Sequence, residues 1–508
     1  MRFQNCCPRT FILVAIMSMV GLIVDTAVAQ KRQAGDLTIT ETRSFQATDG
    51  TEVEADLGRL VVREHRANPD SPLIELAFVR LKSSSDSPGP PLIYLAGGPG
   101  GSSTGMARDE GALQGWRPVL GLCDVILLDQ RGTGSSEPDL NWFIRKPFPD
   151  DFLIRRESAV QFAVEQAREA AAHFREQGRD LNGFTTLEAA HDINDLRKAL
   201  DLEKVSLFGF SYGTHLALTM IKYHGETLEN VIMVGVEGLD ETYKLPLNMD
   251  TQLRKLAIMV SQDERVAPFV PDLVALYQRV AEKLEASPMP VTIRFRGNSQ
   301  EVLVGRFGLD MILRMDLGDA SDLPVFPRLL YSIDQGDSTI LRAFLQKRIP
   351  MFGRLNAMSS ITDGASGASV GRRQLIREQQ QQTMFSNVVN MLHPEMPEAF
   401  GAPDLGEEFR RPLVSDVRTL MATGSLDYNT PPYQAERVRF GLSNATHLTV
   451  ENAGHEQVIP QPQIQQAFVR FLQGEDVSDV RVALPPIRFV PIDEYDPDVT
   501  HWSVPRER

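Results

Sequence analysis

Cysteine is nearly absent from this chain: three are present in 508 residues, and two of them, Cys6 and Cys7, lie in the first ten. The remaining thiol, Cys123, has no partner, so the fold is not stapled by disulfides. Long apolar runs are equally scarce. The one at the start, Phe11 to Val24, has 14 residues, short of the roughly 20 a membrane-spanning helix needs, and no later stretch looks membrane-spanning. Basic residues are outnumbered, 52 Lys and Arg against 67 Asp and Glu, for a formal charge of −15. That balance argues against nucleic acid or an anionic membrane as partner. No cluster with metal-ligand spacing and no phosphate loop is evident, so neither metal nor cofactor is implied.

Apolar residues make up 42% of the chain, enough at this length for a large buried core. Arg2 and Arg9, the apolar run and the small-x-small site Ala27-Val28-Ala29 before Gln30 together read as a secretory signal peptide over residues 1–29. An uncleaved anchor is the competing reading. Removing Arg2, Arg9 and Asp25 with the signal changes the net charge to −16. Export without disulfides fits a bacterial periplasm better than a disulfide-rich extracellular space.

Strand-like runs recur with helical segments between them: Leu92 to Leu95, Val125 to Leu128, Val205 to Phe208, Val231 to Val236, Thr419 to Thr423 and Leu448 to Val450. Such alternation predicts a mainly parallel sheet with helices on both faces, preceded by an antiparallel lead-in at Gly58 to Val62 and Ile74 to Leu81. Thr185 and Glu188 form a capping-box pattern, and Ala189, Ile193, Leu196 and Leu200 then share one helical face. The rhythm breaks over residues 239–413, which are helical, Met-rich and Gln-rich, with a polar Gly/Ser stretch from Ser359 to Gly371. This segment reads as a lid above the carboxyl ends of the strands. The expected organisation is a core over 30–238, the lid over 239–413, the rest of the core over 414–475 and a tail over 476–508.

Gly209-Phe210-Ser211-Tyr212-Gly213 matches the GxSxG nucleophile elbow, and so does Gly367-Ala368-Ser369-Val370-Gly371. Context separates them. Ser211 follows an apolar strand and precedes a helix apolar on most faces, as the α/β-hydrolase fold requires, whereas Ser369 follows a polar loop and precedes Arg372, Arg373 and Gln374. A serine hydroxyl needs a histidine to take its proton and a carboxylate to hold that histidine, and this fold supplies them in the order Ser, Asp or Glu, His. His455 stands on a loop beside Gly454 after the last strand, while His447 opens that strand and His501 lies in the tail. Asp427 lies just past Thr419 to Thr423 at the matching sheet end; Asp416 precedes that strand and Glu451 crowds the histidine's own. Ala96-Gly97-Gly98-Pro99-Gly100-Gly101 follows the strand Leu92 to Leu95. Its glycines would let the N–H of Gly98, with that of Tyr212, form an oxyanion hole. A dinucleotide loop is the rival reading and fails at Ser103, where a third glycine would be needed.

Four segments together resemble the prolyl and tripeptidyl aminopeptidase family: Gly97 to Gly100, Asp129-Gln130-Arg131-Gly132-Thr133-Gly134-Ser135-Ser136, Gly209 to Thr214, and the Gly424 to Pro432 and Gly454-His455 ends. Size and the Ser-Tyr-Gly-Thr run are more like the tripeptidyl branch. The resemblance implies a serine peptidase removing residues from the free N-terminus of short peptides, with Arg131 bracing its loop through ion pairs. Two departures bear on specificity. Ala96 replaces the usual histidine of the glycine loop, and the lid offers Asn387 to His393 where many members carry a cysteine followed by an acidic residue.

Fold and triad alone also allow an esterase or lactonase, or a binding protein on a hydrolase scaffold. An exopeptidase must match the substrate's ammonium with carboxylates. Glu237, directly after the strand Val231 to Val236, is the sequence candidate, with a solvated or capping carboxylate as the alternative.

Overall fold

A computed structural model describes residues 32–295, 297–318 and 321–493. The signal peptide expected over 1–29 and His501 lie outside the described residues. Among the described residues ten strands form the main sheet: β1 (Leu37–Gln46), β2 (Glu52–Arg63), β3 (Leu73–Leu81), β4 (Gly89–Leu95), β5 (Cys123–Leu128), β6 (Val205–Phe210), β7 (Leu228–Val234), β8 (Arg418–Gly424), β9 (Ala445–Glu451) and β10 (Val482–Ala483). Their order is β1-β2-β3-β5-β4-β6-β7-β8-β9-β10. The first three strands and the β3–β5 pair run antiparallel, and every pair from β5 and β4 onward is parallel.

The parallel strands are apolar on both faces because helices cover both. Tyr94 and Phe208 point to one side, where they meet Trp116 of α1 (Glu110–Leu120) and Phe468 of a late helix, Pro462–Leu472. Their neighbours Ile93, Leu95 and Leu207 point to the other, against Ala189, Ile193 and Leu196 of α2 (Thr186–Ala199) and Leu216, Ala217 and Met220 of α3 (Tyr212–His224). Half of the expected capping box is present. Thr185 accepts from Glu188 N at 3.2 Å, but the Glu188 carboxylate turns to Arg66, whose positive charge is the better partner.

Between β7 and β8 the described residues build a mostly helical cap with its own core, joined by a hairpin, Met289–Phe295 with Asn298–Val304. The cap draws on chain outside the expected boundaries. Helix Arg156–Glu176 packs Ala163, Ala167, Ala170 and Phe174 against Met358, Ile361 and Phe400, and Asn141–Phe143 pairs with Arg354–Asn356. Beyond β10 the tail returns to the cap, where Phe489 and Ile492 are buried and Val490 N donates to Pro324 O at 3.0 Å. Most of Ser359 to Gly371, expected as a polar loop, is helical. Asn356 caps α4 (Ala357–Ser366) and Ser369 caps α5 (Val370–Gln380), while Ser359, Ser360 and Thr362 lie inside α4 and donate their hydroxyls to backbone carbonyls. No described helix is long and apolar enough to cross a membrane.

Candidate active site

Ser211 sits at the carboxyl end of β6, where the chain turns into α3 with φ 54° and ψ −123°. A non-glycine residue in this region is strained and persists only where its surroundings hold it. Here Ser211 N donates to Val234 O at 2.9 Å and Thr214 N donates to Ser211 O at 2.8 Å. Gly213 is required by close approach, since a methyl group there would collide with the Leu95 carbonyl. Tyr212 opens α3, so its N–H has no intrahelical acceptor.

Asp427 and His455 come together across the tips of β8 and β9. His455 Nδ1 donates to Asp427 Oδ2 at 2.7 Å, which leaves Nε2 as the nitrogen turned to other work. Thr430 completes the arrangement: its N–H and hydroxyl donate to the two Asp427 oxygens at 3.0 and 2.7 Å. Burial raises the Asp427 pKa, but His455 and Thr430 outweigh it and hold the carboxyl below its usual range. Burial lowers that of His455, and Asp427 outweighs it in turn, so the imidazole lies above its ordinary value. The His455 ring lies 5.0 Å from that of Phe210, the residue before Ser211.

The glycine loop lies against the serine. A methyl on Gly97 would stand 2.9 Å from Phe210 O and 3.0 Å from Ser211 Cβ, and Gly98 has φ +121°. The Asp129 to Ser136 segment holds this loop. Asp129 Oδ1 accepts from Ser102 Oγ, Ser103 N and Thr104 N at 3.0, 2.6 and 3.0 Å, while Oδ2 accepts from Thr104 Oγ1 and Ser135 N at 2.6 and 2.7 Å. Gln130 Nε2 donates to Ala96 O at 3.2 Å. Arg131 is fully buried; it forks onto Asp192 at 2.7 and 2.6 Å and donates to the carbonyls of Glu64 and Gly183, a bracing position away from the serine. From the cap, Ser359 Oγ donates to Pro99 O at 2.6 Å.

Two sequence candidates stand elsewhere. Ser369 caps α5 and donates its hydroxyl to Asp240 Oδ2 at 2.6 Å. Glu237 requires a correction. Strand β7 ends at Val234 and Gly235 turns with φ +66°, so Glu237 enters the interior, where Lys244 forms a close ion pair with it. Burial opposes its ionisation, but Lys244 and His215 outweigh this and keep the carboxyl below its usual range. With Lys244 as countercharge, Glu237 has no free charge for a substrate ammonium. Ser359 was missed because 260 residues separate it from its partner. Thr430 carried a readable signal, a hydroxyl three residues after a loop aspartate.

Fold and site together define an α/β-hydrolase-fold enzyme. The family model described as alpha/beta hydrolase fold matches residues 90–264, and that described as TAP-like protein matches 403–479. The chain is similar to the tripeptidyl aminopeptidase of Streptomyces lividans, at 33% identity over 31% of this chain and 31% of that one. It is also similar to the serine protease Hip1 of Mycobacterium tuberculosis, at 27% over 35% of each chain. To the probable proline iminopeptidase of Leptolyngbya boryana it is 26% identical over 32% of this chain and 37% of the other. These matches span about a third of each relative's length. They agree with the family that the glycine loop, the Asp-Gln-Arg-Gly segment and the elbow resemble.

Proposed function

We propose that the protein is an exported serine peptidase that removes residues from the free N-terminus of short peptides. The reading is carried by the His455–Asp427 pair at 2.7 Å on the same sheet edge as the strained Ser211 elbow. In this reading His455 Nε2 takes the Ser211 proton as Oγ attacks the scissile carbonyl, and the N–H groups of Gly98 and Tyr212 receive the oxyanion. His455 then protonates the leaving amine, and water releases the acyl group by the same path. The relatives' names support a peptidase, and a cap over the sheet edge suits an enzyme that admits short chains. Export rests on the sequence pattern of residues 1–29 and predicts a mature chain beginning at Gln30.

A fluorophosphonate probe should label Ser211. Ser211→Ala, Asp427→Ala and His455→Ala should each lower turnover by orders of magnitude with the fold intact, and Ser369→Ala should leave turnover near that of the parent. Mass analysis of products from a peptide library would show whether amides are cleaved and from which end. Hydrolysis of aryl esters or lactones with peptides untouched would replace this reading with that of an esterase or lactonase.

A further inference from the structure

The acid and base of the site hang from the cap as well as from the sheet. Leu426 and Tyr428, on either side of Asp427, are both buried in the cap core, and the Tyr428 hydroxyl donates to Arg314 O. His455 N donates to Gly318 O at 3.1 Å, in the turn that follows the cap helix Arg306–Asp316. Gly318 in turn lies tight against the acid loop, where a methyl group on it would collide with the Asn429 amide.

Gln252 joins these two attachments. It lies on the cap helix Leu247–Ser261 and is 1% exposed. Its Nε2 donates to Leu317 O at 3.1 Å and to Leu426 O at 2.7 Å. Leu317 precedes the glycine that holds His455, and Leu426 precedes Asp427. The Leu426 carbonyl and the Asp427 N–H are opposite ends of one planar peptide, and that N–H donates to Gly424 O at 3.1 Å. With both ends held, the peptide from which the Asp427 side chain springs is fixed in orientation. Leu426 N donates to Ala453 O at 2.9 Å, so the same residue also ties the acid loop to the chain just before His455. One turn along the cap helix, Lys255 Nζ donates to Ser425 O at 2.9 Å. The residue type suits the position. Reaching two carbonyls from one nitrogen takes a primary amide, an ammonium or a guanidinium; a cation buried there would need a countercharge and would act on the Asp427–His455 pair, and a neutral amide does neither.

We propose that Gln252 is a positioning residue for catalysis, coupling the cap to the triad by fixing the loops of Asp427 and His455 relative to each other. This rests on the reading of Ser211, Asp427 and His455 as a triad. Gln252 acts through the loop backbones, and its effect reaches the chemistry by way of the His455 Nδ1 to Asp427 Oδ2 bond of 2.7 Å. A hydrogen bond weakens steeply once misaligned, and an imidazole held out of place is slower to take the Ser211 proton and to return it.

The test compares Gln252→Met, similar in length but without donors, with the parent. The measurements are the rate constant for fluorophosphonate labelling of Ser211, kcat and KM on a peptide anilide or an aryl ester, whichever the parent cleaves, and the acid limb of kcat/KM. In Q252M the labelling rate and kcat should fall about 10- to 100-fold, with KM within about threefold. The acid limb should move to lower pH, because Asp427 raises the His455 pKa, while Lys244 and Glu456, whose charges also act on the imidazole, stay in place. Should Q252M not fold, Gln252→Asn, whose amide is one methylene too short to reach both carbonyls, should show the same changes at about 3- to 10-fold. A labelling rate or an acid limb that keeps the parent's value, even beside a lowered Tm, overturns the assignment and leaves the triad standing. A parent that takes no fluorophosphonate at Ser211 removes the triad reading and this proposal together.

Discussion

Asp129→Asn separates the bracing of the glycine loop from the chemistry at Ser211. The carboxylate accepts five hydrogen bonds, three at Oδ1 and two at Oδ2. An asparagine can keep its oxygen toward Ser103 N and Thr104 N, and the Thr104 hydroxyl can rotate to accept from the new amide. Ser135 N–H, a fixed donor, then faces another donor. Leaving that group unsatisfied costs about 1–3 kcal/mol, and losing charge assistance costs about 1 kcal/mol for each of the three bonds that survive at the oxygen, so the total is about 4–6 kcal/mol. Unfolding entropy of about 2.1 cal/mol/K per residue over roughly 460 folded residues makes this a fall of about 4–6 °C in Tm. Deleting an oxyanion donor costs about 10²–10³ in kcat, and loosening the loop that carries Gly98 should cost less, about 10- to 100-fold, with KM within about threefold. Thermal unfolding and steady-state kinetics on one peptide anilide measure both. An unchanged kcat beside the lowered Tm would refute the link between Asp129 and the glycine loop's function.

Because the base must be neutral and Asp427 holds the His455 pKa above its ordinary value, kcat/KM should fall with decreasing pH through a limb above about 6.5. In Asp427→Ala burial and the Lys244 charge, both of which lower the His455 pKa, are opposed by Glu456 alone, so the residual activity should have its limb at lower pH; a limb that stays in place would count against the pairing. Glu237→Gln strands the partly buried Lys244 ammonium and should cost about 3 kcal/mol of stability, the low end for a broken buried pair, read as a lower midpoint in denaturant. The ratio of free to acetylated peptide cleavage should be unaltered, and a changed ratio would return Glu237 to substrate recognition.

The parallel strands were legible because burial on both faces writes them as short apolar runs, as at residues 92–95 and 125–128. Strand β1 left no such trace, since Leu37–Gln46 is an edge strand exposed along most of its length. The Ser211 elbow could be told from Ser369 by what flanks each, but the helical character of most of residues 359–371 could not, because the caps beside and within that stretch, Asn356 and Ser369, read equally well as loop.

By itself the sequence determined what short-range order carries: the run of strands and helices, the elbow at Ser211, and the positions of Asp427 and His455 just past their strands. The tertiary structure alone decided which charges are already matched. Lys244 claims Glu237 through a turn that begins at Gly235, and Asp129 reaches 27 residues back to grip the loop at Ser102. Helix α4 of the cap is set over the glycine loop by a bond spanning 260 residues. A carboxylate's role depends on which cation or N–H lies within about 3 Å, and for partners far apart in the chain that distance is a property of packing, which no local pattern encodes.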